Sequence, residues 1–375
     1  MAKLSVQHVS IGNADIAGKG TGAAGVDDFS LEVADREFVA IAGPEGCGSS
    51  SIVRAIAGLE AISSGEIQIA DKNINGMTPR ERDVAMVFPT PALYPNLSAH
   101  DNMALGLKRR KFSPAEIKRR VSDAAAILGI ESLLDRKAAG LSDVEALRVA
   151  IGRAVARQPK VFLFDHALVG FDAATGAQLR AELIRLHQQL QATMVFATAN
   201  SQEALTMASR IAAMNGGVMQ QAGAAAVVYG EPENVFVGGF FGSPPMNFIK
   251  GAVRGSGDAL SFKEAQGGVV DFRLGARSEM QRLAGKEVIA GIRPEHVEII
   301  TGAAPPGGLR FQALLDIVEP LGGEAIAHIQ TGAHTLKSRT RAPLGGEDAG
   351  HRVQFAFDPA KVLYFDPETT RRISA

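Results

Sequence analysis

The stretch "FVAIAGPEGCGSSSIVRAIAGL" (Phe38–Leu59) decides how this sequence is read. "FVAIA" is continuously apolar, which predicts a strand covered on both faces, as in a parallel sheet. "SIVRAIAGL" continues as a helix. The turn between them keeps the spacing G-x-x-x-x-G-K-[ST] of a phosphate-cradling loop, with Gly43 and Gly48 at the two glycine positions. Backbone N–H groups of such a loop, at a helix N-terminus, hold an anion without help from side chains. The candidate cofactor-binding residues are Gly43, Pro44, Glu45, Gly46, Cys47, Gly48, Ser49, Ser50 and Ser51. Ser49 stands where the loop requires lysine, and its hydroxyl is neutral and too short to follow the β- and γ-phosphates. A charge pair at ~4 Å is worth about 4 kcal/mol at an effective dielectric near 20, and losing half of that weakens binding roughly thirtyfold. Glu45 adds a carboxylate near the same anion. Three readings stay open from these residues: an anion-binding relic, a working nucleotide site, or a plain turn joining strand to helix.

Two further apolar runs, "VFLFD" (Val161–Asp165) and "MVFATA" (Met194–Ala199), read as covered strands. Between them Leu179, Leu183, Leu186 and Leu190 make one apolar stripe of a helix. Strand, loop and helix in repetition predict an α/β layer fold. Residues 89–157 lack strong strands and read as a helical insertion. "GSPPMNF" (Gly242–Phe248) is turn-rich, and beyond it "GGVVDFRL", "EVIAGIR", "RVQFAF" and "KVLYF" predict a small all-β barrel or sandwich. The expected domains are 1–242 and 243–375. The glycine-rich "GNADIAGKGTGAAG" (Gly12–Gly25) reads as a loop; its "GKGTG" lacks the preceding strand that a phosphate loop needs.

With 375 residues, 46% apolar and 21% charged, the chain has the composition of a globular protein of two domains. A net charge of −1 gives no basic footprint for nucleic acid. The runs "KRRK" (Lys108–Lys111) and "KRR" (Lys118–Arg120) read as solvated helix faces or as contacts for an acidic partner. One cysteine, Cys47, excludes an internal disulfide and fits a reducing compartment. No signal-peptide core, membrane-length apolar run or metal-ligand spacing of histidines is present. The expectation is a cytoplasmic protein whose link to a membrane goes through a partner.

In order, several longer stretches resemble the ATP-binding subunits of ABC transporters, most closely the carbohydrate-importer type (maltose and glycerol-phosphate) with a C-terminal regulatory domain. "RDVAMVFPTPALYPNLSAHDNMALGL" is similar to that family's Q-loop region. "LSDVEALRVAIGRAVARQPKVFLFDHALVGFDA" is similar to its signature helix, Walker B strand and D-loop. "ATANSQEALTMASRIAAMNGG" resembles its H-loop segment, and "GSPPMNF", "GIRPEH" and "FDPAKVLYFDPET" its accessory OB-like, TOBE-type barrel. The resemblance implies a P-loop ABC-type nucleotide-binding domain with a helical insertion, a C-terminal β-barrel regulatory domain, ATP and Mg²⁺ as cofactors, and membrane permease subunits as partners. It implies that Ser50 and Asp165 are the metal-holding pair. It also implies that "ALYPNLSAHDNM" (Ala92–Met103) receives the permease, with Tyr94 and Pro95 as docking residues or else as core of the insertion.

The same resemblance exposes departures at the hydrolysis positions. Besides Ser49, the Q-loop glutamine is Pro89, which has no side-chain amide to coordinate metal or orient water. The signature L-S-G-G-Q reads Leu141, Ser142, Asp143, Val144, Glu145, so an anion and a β-branched side chain replace bare backbone. The catalytic glutamate is His166, either a surrogate base or a non-catalytic residue. The switch histidine is Ala199, followed by Asn200, and no aromatic residue precedes Phe29 to stack on adenine. In this family each ATP lies between the Walker motifs of one subunit and the signature of the other. A homodimer would therefore be defective on both faces of each site, and a heterodimer on one face of each. The expected function is a structural or regulatory subunit with ATP and Mg²⁺ bound weakly if at all. The alternatives are a slow ATPase and a soluble scaffold that works through its barrel.

Overall fold

A computed structural model of the chain describes residues 2–12, 25–274, 278–300, 309–341 and 344–373. The "GKGTG" stretch falls outside them. The chain divides into two compact units, Met1–Ala226 and Val227–Ala375.

The first unit begins with β1 (Leu4–Ile11), β2 (Val26–Val33), β3 (Phe38–Ala42) and α1 (Ser49–Ala57), then β4 (Ser64–Ile69), β5 (Lys72–Asn73) and β6 (Val84–Val87). A helical layer follows: α2 (Ala99–Arg109), α3 (Pro114–Leu128) and α4 (Asp143–Arg157). The unit continues with β7 (Val161–Asp165), α5 (Ala173–Leu190), β8 (Thr193–Thr198), α6 (Ser201–Met207), β9 (Arg210–Asn215) and β10 (Val218–Ala224). Among the described residues the central sheet has the order β10-β9-β3-β8-β7-β6, parallel from β9 to β6.

Every residue of β3, β7 and β8 is buried, as their unbroken apolar runs require. Alternate residues serve opposite faces. Phe162 and Phe164 enter a core shared with α4 and α5, while Val161 and Leu163 enter another with Ile52, Val53 and Ile56 of α1. That second core also takes Val6, Phe29 and Ile67 from an antiparallel sheet of order β2-β1-β4-β5. Helix α1, and with it the phosphate loop, is thus held between two sheets.

The three helices of the insertion share one core through Met103, Leu107, Val121 and Leu147. Local chemistry sets their ends. Ser98 and Ser113 cap α2 and α3 by accepting from Asp101 N and Glu116 N, and Gly129 closes α3 in the left-handed conformation at φ 63°.

Helix α7 (Ala225–Gly230) crosses the division between the units, and the second unit continues through α8 (Val235–Phe240) into β11 (Asn247–Arg254), β12 (Ser261–Glu264), β13 (Asp271–Arg273) and β14 (Glu287–Ile292). Then come β15 (Glu298–Ile300), β16 (Leu309–Pro320), β17 (Ala325–Gln330), β18 (Thr335–Thr340), β19 (Arg352–Phe357) and β20 (Leu363–Phe365). These make two antiparallel sheets, β13-β12-β11-β14-β20 and β15-β19-β16-β17-β18, around one core containing Phe262, Phe272, Phe355 and Phe357. A buried carboxylate ties the sheets together: Glu264 accepts from Thr331 Oγ1 at 2.6 Å, His334 Nδ1 at 2.7 Å and Val270 N at 3.1 Å. Because Lys250 N donates to His334 Nε2, the ring proton sits on Nδ1.

Candidate nucleotide site

Strand register assembles the site. Ala42 of β3 pairs with Thr198 of β8, and Ala197 of β8 with Asp165 of β7. The C-terminal ends of three adjacent strands therefore lie level and bring together the phosphate loop, His166 and Ala199. Ligands of open α/β sheets bind at this edge.

The loop's glycines are needed by the loop itself. A Cβ on Gly43 would lie 2.0 Å from Met214 O, and Gly48, at φ 99°, would place one 2.8 Å from Val26 Cγ2. Gly46 also has positive φ, at 78°. Cys47 is buried in the core beside α1, its N–H donating to Pro44 O, while Pro44 and Glu45 are exposed. The first-turn amides of α1 have no intrahelical acceptor. With the left-handed glycines they form a concave set of donors, so the backbone fits a phosphate.

The side chains do not complete that fit. Ser49 is buried, and its Oγ lies 3.4 Å from His166 Nε2. Ser50 Oγ donates to Asp165 Oδ1 at 2.6 Å, and Arg54 Nε to Asp165 Oδ2 at 3.0 Å. Asp165 is 0% exposed, and both its oxygens are engaged, one of them by a guanidinium. The implied magnesium donors are therefore adjacent but already answered: a divalent cation would have to displace Arg54 or share the carboxylate with it. As arranged, each oxygen of the Asp165 carboxylate already has one protein donor. Ser51 is buried in the first turn of α1.

His166 departs from ordinary backbone geometry. At φ 47° it is left-handed, its N–H bonded to Ala197 O, a conformation that costs a non-glycine residue roughly 1–2 kcal/mol. It lines a cavity of about 360 Å³ with Glu45, Ala199, Asn200, Arg180 and Glu203. Asn200 caps α6 by accepting from Gln202 N and Glu203 N. Glu203 accepts from Thr198 Oγ1 at 2.5 Å, and burial raises its carboxyl above the usual range.

The signature residues end up elsewhere in the unit, at the start of α4. Ser142 and Glu145 form a capping box, each side chain bonded to the other's backbone N–H. Arg136 Nη1 donates to Glu145 Oε1 at 2.7 Å, and Arg136 Nη2 to Gly140 O. Asp143 adds a second carboxylate to the first turn, Val144 packs against the helical core, and Leu141 does the same just before the helix. Carboxylates thus occupy the positive end of this helix. Pro89 follows β6 by two residues and is half-buried. Tyr94 is 48% exposed and Pro95 is exposed. Buried Asn102 pins their turn, accepting from Tyr94 N at 2.7 Å and donating to Tyr94 O and Ser98 O.

Sequence reasoning missed Arg54, Glu203, Arg136 and Asn102. Only Arg54 left a signal, lying one helical turn beyond Ser50 and so on the same face.

Residues 26–169 match the ABC transporter family, residues 242–297 the MalK OB fold domain and residues 290–365 the TOBE domain. The chain is 45% identical over 350 residues to the oligosaccharides import ATP-binding protein MsmX of Bacillus subtilis, covering 93% of this chain and 94% of that protein. It belongs to the ATP-binding subunits of carbohydrate-type ABC importers. The sulfoquinovosyl glycerol transport ATP-binding protein SmoE of Agrobacterium fabrum is 42% identical over 348 residues, 93% of this chain and 95% of its own length. The solved structure of cbiO1 from Clostridium perfringens, part of the ABC transporter complex cbiONQ, shares the fold with a TM-score of 0.55 at 25% identity. That likeness covers 61% of this chain and 90% of cbiO1. The ABC fold followed by OB and TOBE segments is the architecture its sequence implied. As an ABC subunit, the chain comes from a family that in general binds ATP and Mg²⁺.

Proposed function

We propose that this subunit assembles with the membrane permease subunits of a carbohydrate importer and does not itself turn over ATP. The observation that carries this reading is the state of Asp165. Its buried carboxylate is matched by Arg54 and Ser50, while the neighbouring position offers Ser49 instead of a cation. Anionic phosphate then meets backbone donors alone, and ATP and Mg²⁺ bind weakly. The capping box on Ser142 and Glu145, with Asp143 beside it, supports the same conclusion for the face offered to a second ATP-binding subunit, whether a copy of this chain or another.

Exposed Tyr94 and Pro95 on a turn held by Asn102 support docking through the helical insertion. Among the described residues no helix is long and apolar enough to cross a membrane. That is in keeping with a cytoplasmic subunit held at the inner face of the membrane by its partners. We place the domain boundary near residue 243, beside the start of the matched OB segment at residue 242; the barrel beyond it serves regulation. The test is purification of the chain from solubilised membranes of its source cells. Stoichiometric permease with no hydrolysis sensitive to Asp165→Asn is expected. A complex whose hydrolysis Asp165→Asn abolishes would make it a working ATPase, and a purely soluble partner would make it a scaffold.

A further inference from the structure

The C-terminal barrel holds an acid–histidine pair, Glu264 at the end of β12 and His334 in the turn between β17 and β18. The Glu264 side chain is 0% exposed and that of His334 17%. Room for the carboxylate comes from Gly268, where a Cβ would lie 1.9 Å from the carboxyl carbon. Glu264 shares the inward face of its strand with Phe262. Lys250, Lys263, Asp271, Arg273 and Lys337 alternate to the outward faces of β11, β12, β13 and β18, and Lys263 pairs with Asp271 at 3.8 Å. The turns 265–270 and 331–333 carry no titratable side chain. Among the described residues of these elements, Glu264 is therefore the charged group that faces the His334 ring.

The polar atoms of the pair are committed in one protonation state. Glu264 Oε1 accepts from Thr331 Oγ1 and His334 Nδ1, and Oε2 from Val270 N. On the other side of the ring, Nε2 accepts from Lys250 N at 3.1 Å. The neutral ring thus ties a turn of the second sheet to two strands of the first, β12 through Nδ1 and β11 through Nε2. A second ring proton can go only to Nε2, where it meets the Lys250 N–H, donor against donor. The bond to Glu264 instead becomes charge-assisted and strengthens. Lys250 is exposed, so water takes its N–H once the ring lets go.

We propose that His334 is a proton-operated clasp of the barrel. Neutral, it joins the β17–β18 turn to both β12 and β11. Charged, it stays on Glu264 and releases β11, so the two sheets lose one of their ties. Imidazole is the side chain that takes up a proton between about pH 8 and pH 5, and the barrel answers to acidification in that window. Such a clasp works whether or not the chain turns over ATP, and it supplies a signal for the regulatory role proposed for the barrel.

The test follows amide exchange in the full-length chain by NMR, each rate divided by the intrinsic rate at the same pH. From about pH 8 to about pH 5.5, the protection of Lys250 N is expected to fall about tenfold or more. Val269 N, which donates to Thr331 O at 2.8 Å, is expected to keep its protection. His334→Gln offers one donor and one acceptor and does not titrate, so its Lys250 protection is expected to stay constant with pH. Ring nitrogen shifts of the parent chain read the same claim without a variant, with the proton expected on Nδ1 at the higher pH. Constant Lys250 protection in the parent, a fall that Val269 shares, an equal fall in His334→Gln, or a ring proton on Nε2 at the higher pH overturns the clasp.

Discussion

Ser49→Lys is the most informative substitution. Position 49 begins α1, in the loop where a terminal phosphate meets backbone donors, and the serine is buried 3.4 Å from His166 Nε2. A lysine here carries its ammonium toward the anion. At ~4 Å and an effective dielectric near 20 the attraction is about 4 kcal/mol. Desolvation of the ammonium and repulsion from Arg54, held 3.0 Å from Asp165, take back roughly half by a dielectric argument of the same kind. The remaining ~2 kcal/mol tightens ATP about thirtyfold. Calorimetric titration of ATP with and without Mg²⁺, alongside thermal melting, reads this directly. Turnover stays absent, because Pro89, His166 and Ala199 are unchanged. A folded Ser49→Lys chain with unchanged affinity would refute the claim that the missing cation limits binding.

Three more outcomes follow from the geometry. Arg54→Met leaves the Asp165 carboxylate buried with only Ser50 as partner and is expected to lower stability by about 2 kcal/mol, discounted because Arg54 is half exposed; the double variant with Asp165→Leu recovers most of it in chemical denaturation. Replacing Asp143 and Val144 with glycine, as the family's signature has, removes an N-terminal carboxylate and a packed side chain from α4. At roughly 1 kcal/mol per glycine, the pair lowers stability by about 2 kcal/mol in the same assay without creating activity. Burial raises Glu203 above its ordinary 4.5, so the folded chain keeps this proton longer than the unfolded chain. Its contribution is most favourable below that value and declines as pH rises through the raised range. Glu203→Gln, which keeps an acceptor for Thr198, is expected to melt higher than the parent at pH 7 and alike at pH 4.

How far the sequence reveals this molecule depends on the range of each interaction. The strands β3, β7 and β8 were legible because burial on both faces leaves an unbroken apolar run, and α5 because Leu179, Leu183 and Leu186 repeat with the helical period. The antiparallel sheet of β1, β2, β4 and β5 was not anticipated. Left-handed His8 and Asp28 and shifts in register break the alternation that would have marked β1 and β2. The loop and its departures were visible position by position. Their consequence at Asp165 was not, because Arg54 and Asp165 are 111 residues apart and meet only through the sheet order. The capping box at Ser142 and Glu145 is local and fits a signal of serine and glutamate three apart, yet family resemblance drew attention to its lost glycines instead.

The most direct measurement is calorimetric titration of the unmodified chain with Mg-ATP, followed by a phosphate-release assay on the same sample. A chain whose buried aspartate is already neutralised binds more weakly than roughly 10 μM, about −7 kcal/mol, and releases no phosphate that Asp165→Asn abolishes. Tighter binding together with Asp165-dependent release would contradict it.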